Sequence, residues 1–135
     1  MAEIKIFNPD GLNKPRSPFL QVARVKMSEL VFIAGQVPVD AAGTLVGEGD
    51  FEAQCAQVYA NIHIALQSVG ADWKNVLGFT SYLIRAQDVQ AFRDYRHRTF
   101  PSLFSNGAFP PNTLLIINRL ADESYLLEVQ TIAAL

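Results

Sequence analysis

Glu128 is a lone carboxylate in an otherwise uncharged run, Tyr125-Leu126-Leu127-Glu128-Val129-Gln130-Thr131-Ile132. The run is aliphatic and β-branched enough to form a strand. An ionised carboxylate buried in such a place is costly, and desolvation raises the pKa of a carboxyl group. A carboxyl tuned toward neutrality can donate and recover a proton at physiological pH, which is general acid–base chemistry. A strand would also put Leu126, Glu128, Gln130 and Ile132 on one face, and two of these four are polar. Taken locally, a half-solvated face is the simpler reading. The rest of the chain reverses that preference.

Other chemistry is sparse. Ser17, Ser28, Ser81, Ser102, Ser105 and Ser124 lie in no Gly-x-Ser-x-Gly elbow. Gly47-Glu48-Gly49 reads as an ordinary turn rather than a phosphate cradle. Cys55 is the single cysteine, so no intrachain disulfide forms. His63 and His97 are isolated, which leaves no zinc spacing and makes a protein-built metal site improbable. Arg93, Arg96, His97 and Arg98 cluster beside Tyr95, a pattern read as a solvated helix end rather than an RNA contact. Net charge is −2 and the pI is near 5.6, without the basic excess of a nucleic-acid binder. The N-terminus, Met1-Ala2-Glu3-Ile4-Lys5-Ile6, lacks the apolar core of a signal peptide. No apolar stretch approaches membrane-spanning length, so a soluble, cytoplasmic protein without membrane or nucleic-acid partners is expected. With 135 residues, half of them hydrophobic, the chain fits one domain, residues 1–135, with a real core.

The elements that must position Glu128 follow from periodicity. Residues 8–18 are rich in Asn, Pro, Gly and Ser and form a turn-rich lead-in. Phe19 to Val25 alternates partly, and Leu30-Val31-Phe32-Ile33-Ala34-Gly35 is a strong apolar run. Met27-Ser28-Glu29 between them is short enough for a hairpin. Thr44-Leu45-Val46 could add a short extended piece. From Phe51, apolar or small residues at Cys55, Val58, Tyr59, Ile62, Ala65, Leu66 and Val69 have helical spacing. Asp50 is the expected N-cap and Gly70 the stop, and Cys55 on the stripe is expected to pack rather than react. Val76–Ile84 reads as a strand. Val89–Phe100 reads as a second helix, capped by Asp88 and ended or kinked at Pro101. Thr113–Ile117 is a continuous apolar strand, and the Glu128 strand closes the chain. The order β-β-(β)-α-β-α-β-β predicts an α+β fold, a sheet with two helices on one face. Its apolar strands are more than two helices cover, so a partner surface is expected.

Several short pieces, in order, carry a further signal. They are Ser17-Pro18-Phe19-Leu20-Gln21, then Val31-Phe32-Ile33-Ala34-Gly35-Gln36-Val37-Pro38-Val39-Asp40. A helix bearing Gln54, Gln57 and Asn61 follows, then Phe92, Arg96 and Phe100 at intervals of four. Last come Phe109-Pro110-Pro111-Asn112-Thr113-Leu114, Arg119-Leu120-Ala121 and Leu127-Glu128-Val129. Together, from about Pro15 to Ala133, the pattern resembles the RidA/YjgF family of reactive intermediate deaminases, historically labelled endoribonuclease L-PSP or translation inhibitor. The resemblance implies a chorismate-mutase-like mixed sheet and a homotrimer with a small-molecule pocket at each subunit interface. Deaminating members hydrolyse small enamines and imines without metal or bound cofactor.

Position by position, Glu128 stands at the family's catalytic glutamate, and Gly35 and Gln36 keep the turn after the second strand. Phe19 stands for a pocket tyrosine and Ala34 for a serine or threonine, while Leu114 follows at the start of the penultimate strand. The main departure is Asn112, which replaces the arginine of the deaminases' Pro-Ala-Arg-Ser. An amide cannot make the bidentate, charge-assisted pair with a substrate carboxylate. Losing such a contact costs on the order of 2–5 kcal/mol. Arg96 and Arg119 are the alternative anchors. The resemblance thus implies an imine or enamine hydrolase with Glu128 as acid/base and Phe19, Ala34, Gly35, Gln36, Asn112 and Leu114 around the substrate. The alternative is a trimer that binds a metabolite without turnover. A ribonuclease ranks last, because the chain shows no basic surface and no nucleophile.

Overall fold

The computed structural model describes residues 2–135; Met1, part of the stretch weighed above for a signal peptide, lies outside the described residues. The strands are β1 (Glu3–Phe7), β2 (Val22–Lys26), β3 (Leu30–Gln36), β4 (Val76–Leu83), β5 (Asn112–Ile116) and β6 (Leu127–Ala134). The helices are α1 (Phe51–Ser68), between β3 and β4, and α2 (Asp88–Leu103), between β4 and β5. Strands β3, β6, β4 and β5 form one sheet in that order, antiparallel except for the parallel pair β4–β5. The two helices pack on one face of this mixed sheet. No helix among the described residues is long and apolar enough to cross a membrane.

Helix α1 forms where the 3.6-residue stripe predicts it. Asp50 accepts a hydrogen bond from the Ala53 amide, and Gly70 takes the left-handed conformation (φ 74°) that ends the helix with little strain. Its buried face carries Phe51, Cys55, Val58, Tyr59, Ile62 and Leu66. Helix α2 adds Phe92 and Phe100, and Phe79, Phe104 and Trp73 complete an aromatic cluster around Tyr59. Each such side chain contributes about 1.5–3 kcal/mol by leaving water.

Five expectations need correction. The segment before Met27 does not form a hairpin with β3: β2 pairs instead with β1, from Glu3↔Lys26 to Phe7↔Val22. The linking amides of Ser28 and Glu29 donate to the Leu135 carbonyl, and the Leu135 amide donates to Glu29. Leu135 thereby bonds to the link between β2 and β3, and β3 pairs with β6. The Ile4, Ile6 alternation that makes β1 is present in the sequence. Secondly, Thr44–Val46 reduces to a single bridge, Val39↔Leu45.

Thirdly, Asp88 is not a cap. It lies inside the first turn of α2 and pairs with Arg85 at 2.7 Å, and Gln87 at the cap position makes no side-chain cap bond. Pro101 is accommodated within α2, which runs on to Leu103. Lastly, Arg96 is no part of a solvated helix end. It is 3% exposed, with its guanidinium 4.3 Å from the Phe92 ring centre.

Candidate functional site

Alternation along β6 sets the site. Leu127, Val129 and Thr131 are fully buried toward the helices, so Glu128 and Gln130 point to the opposite, open face. Glu128 pairs across the sheet with Tyr82 of β4. On its other side β3 is irregular: Ile33 pairs with Thr131 but Gln36 with Val129, so one extra β3 residue is accommodated near Gly35. Bulges of this kind recur beside active sites because they re-aim a strand. A Cβ built on Gly35 would overlap Glu128 Oε1 and lie 2.7 Å from its Cδ. The carboxyl group therefore rests on the bare Gly35 backbone, in space that any other residue would fill.

A pocket of about 340 Å³ opens there, lined by Gly35, Tyr82, Ile117, Leu120, Glu128 and Gln130. Glu128 is half-buried in it. No lysine, arginine or histidine lines the pocket, so its chemistry is one carboxyl group, one phenol and one amide between apolar walls. That set can shuttle a proton and orient a small uncharged group. Among the described residues no cluster of His, Cys, Asp and Glu could hold a metal ion.

The polar residues of α1 build this geometry from behind. Gln54 is fully buried, donates to the carbonyls of Gly47 and Ser124, and accepts from the Leu126 amide at 2.8 Å. It thereby fixes the entry into β6 two residues before Glu128. Asn61 donates to the carbonyls of Val37 and Val39 and accepts from Gln57 at 2.8 Å, holding the exit of β3 just after Gly35. Buried side chain–backbone bonds of this kind are strongly position-specific.

The residues singled out in the sequence do not all converge within one protomer. Glu128 and Gly35 do. Ala34 is exposed, and its carbonyl accepts from the Gln36 side chain at 3.0 Å. Asn112 pairs with Phe79 in register and lines a separate depression of about 150 Å³. Its Oδ1 accepts from Ser81 Oγ at 2.6 Å. Leu114 packs against the core. Phe19 lines another cleft, beside α2. Neither alternative arginine reaches the pocket. Arg96 is buried against the core, where desolvation lowers its pKa, and Arg119 is tied to the carbonyls of Leu120 and Ala121 and to Glu123. Sequence reasoning missed Tyr82, Ile117 and Leu120. Tyr82 was findable only through the β4–β6 register, which no local pattern encodes.

Comparison with known proteins places this architecture. The family model described as Endoribonuclease L-PSP matches residues 12–135. A RutC family protein of Synechocystis is 28% identical over 133 residues, covering 98% of this chain and 97% of that protein. Protein DfrA of Myxococcus xanthus is 27% identical, covering 96% and 94%. The crystal structure of YyfB from Yersinia pestis, a protein of unknown function in the conserved Rid family, superposes with a TM-score of 0.86 at 26% identity, covering 98% of each chain. The Escherichia coli YjgF gene product shares the fold, with a TM-score of 0.69 at 20% identity over 96% of this chain and 98% of that one.

Proposed function

From its membership of the endoribonuclease L-PSP family, the RidA/YjgF group, we propose that this chain is a cofactor-free imine or enamine hydrolase with Glu128 as acid/base. The pocket is completed at the interface of a homotrimer. The observation that carries the reading is the seat of Glu128 on the bare backbone of Gly35, beside Tyr82, in a pocket without cations. The trimer is supported by the uncovered sheet face, where Phe32 is 68% exposed and Leu30 and Leu115 are about 40% exposed. Apolar area of this kind marks an association surface.

The chemistry is a balanced hydrolysis. Water oxygen adds to the imine carbon while Glu128 accepts the water proton. Glu128 returns that proton to nitrogen, giving a carbinolamine; it then takes the hydroxyl proton and passes it to nitrogen as the C–N bond breaks and the C=O bond forms, so that ammonia leaves a carbonyl product. General acid–base assistance of this type contributes about 10²–10⁴-fold. With Asn112 in the place of the deaminases' arginine and bonded to Ser81, the preferred substrate lacks a carboxylate.

The test is imine loss in an assay coupled to a pyridoxal-phosphate lyase, comparing wild type, Asn112→Arg and Glu128→Ala. Wild type should be slow on the carboxylate-bearing imine and faster on a neutral one, and Glu128→Ala should abolish both activities. If wild type matches an arginine-bearing relative on the carboxylate-bearing imine, Asn112 is not the handicap described. The same absence of an anchoring cation favours one second reading, a trimer that binds a metabolite without turnover. A tight, unchanged metabolite in native mass spectra, with no hydrolysis of either imine, would select it.

A further inference from the structure

Among the described residues that line the Glu128 pocket, Tyr82 alone carries a phenol. The proton transfers assigned to Glu128 leave that hydroxyl without a part. Its placement is firm. β4 is an interior strand, and Tyr82 is in register with Glu128 on β6 and with Leu115 on β5. A side chain on a strand held from both sides is placed more precisely than one on a loop. The Ile117 amide donates to the Leu83 carbonyl at 2.9 Å, which draws Ile117 in beside the phenol. Leu120, a further apolar wall of the pocket, is buried. Residues directly opposite on one sheet face have Cβ atoms about 4.5–5.5 Å apart. The half-buried phenol and the Glu128 carboxyl group therefore address the same small molecule.

Nearby donors are already engaged. Gln36 Nε2 donates to the Ala34 carbonyl at 3.0 Å. The Arg119 guanidinium donates to the carbonyls of Leu120 and Ala121 and to Glu123. A phenol offers one neutral O–H donor and prefers to have it met when apolar groups surround it. A substrate carboxylate meeting that donor would stand next to Glu128, which must itself be ionised to accept the water proton. Two like charges in one site disfavour each other. A neutral carbonyl oxygen takes the same hydrogen bond without that conflict.

We propose that Tyr82 is a specificity-determining residue of this pocket. Its hydroxyl donates to a neutral carbonyl oxygen next to the reacting imine carbon. The substrate class is then imines that carry an adjacent amide, in preference to imines of α-keto acids or plain alkyl imines. The inference rests on the imine hydrolysis proposed above and deepens it. Tyr82 transfers no proton, so the balance of that hydrolysis is unchanged.

The experiment compares hydrolysis of pyruvamide imine and acetone imine by wild type, Tyr82→Phe and Glu128→Gln. Phe keeps the ring and removes only the hydroxyl. Tyr82→Phe should lower the kcat/KM preference for pyruvamide imine over acetone imine about fivefold, the worth of one neutral hydrogen bond. A merely structural role would slow both imines alike and leave the preference within twofold, which would overturn the proposal. Lactamide, which does not react, reads the same contact without turnover. In an NMR titration, Tyr82→Phe should weaken lactamide about fivefold, and wild type should bind lactate more weakly than lactamide. Lactamide affinity within twofold of wild type in Tyr82→Phe, lactate bound as tightly as lactamide, or no lactamide binding at tens of millimolar would each overturn the proposal. The two readings fail separately. If Glu128→Gln keeps full turnover, or wild type hydrolyses neither imine, while Tyr82→Phe still weakens lactamide, the hydrolase reading falls and the Tyr82 contact stands. If Glu128→Gln is inactive while Tyr82→Phe keeps both preference and affinity, the Tyr82 contact falls and the role of Glu128 stands.

Discussion

The two faces of the central sheet are written by the same strands and serve opposite ends. On β6, Leu127, Val129 and Thr131 face the helices and are 0% exposed, while Glu128, Gln130 and Ile132 alternate with them on the open side. On β4, Phe79, Ser81 and Leu83 are buried and Tyr82 looks outward. One face is closed by α1 and α2 and supplies stability. The other keeps a carboxyl group, a phenol and exposed apolar side chains. A period of two thus lets one strand hold the core and present chemistry without compromise between them.

The largest effect should come from the closed face. Leu127→Ala should cost about 2–5 kcal/mol, read as a lower urea midpoint with unchanged slope. Destabilisation by less than 1 kcal/mol would mean the helix-side packing is looser than the burial implies. On the open face, Gly35→Ala should leave the fold intact, because the atoms in the way belong to the movable end of Glu128. The displaced carboxyl group should cost about 100-fold in imine hydrolysis, the effect of a misplacement near 1 Å. Phe32→Lys should weaken association by about 2 kcal/mol, seen as smaller species in sedimentation velocity at micromolar concentration. The smallest perturbation probes sealing of the closed face. Burial, reinforced by Glu52 and Asp88, pushes the Cys55 thiol up. A thiol reagent at pH 8 should therefore label native protein only as fast as the protein opens, and unfolded protein at once.

The helices and the Glu128 strand were legible because their signals are local. The α1 stripe, the Asp50 cap and Gly70 are all read within one segment. The pairing partners were not, since register depends on which strands meet. Leu135 bonding to Ser28 and Glu29 couples residues more than a hundred apart, and no window along the chain contains both. Arg96 was misread for a related reason: a charged residue in a basic run looks solvated until its position in the helix stripe, in line with Phe92 and Phe100, is given weight. In the candidate site, Glu128 was visible as an exception to its surroundings, a charge in an apolar run, whereas Gly35 came only through the family resemblance, which set it in a turn after the strand; it lies within β3. Tyr82, Ile117 and Leu120 are ordinary residues that the fold brings to the pocket.

The most direct test is the turnover of a neutral imine by wild type and Glu128→Gln, with the oligomeric state of both measured on the same samples. Gln keeps the size of the side chain and removes only its ability to carry the proton. The variant should assemble like wild type and be slower by about 100-fold or more. A Glu128→Gln protein that assembles normally and turns over within twofold of wild type would contradict the role given to Glu128.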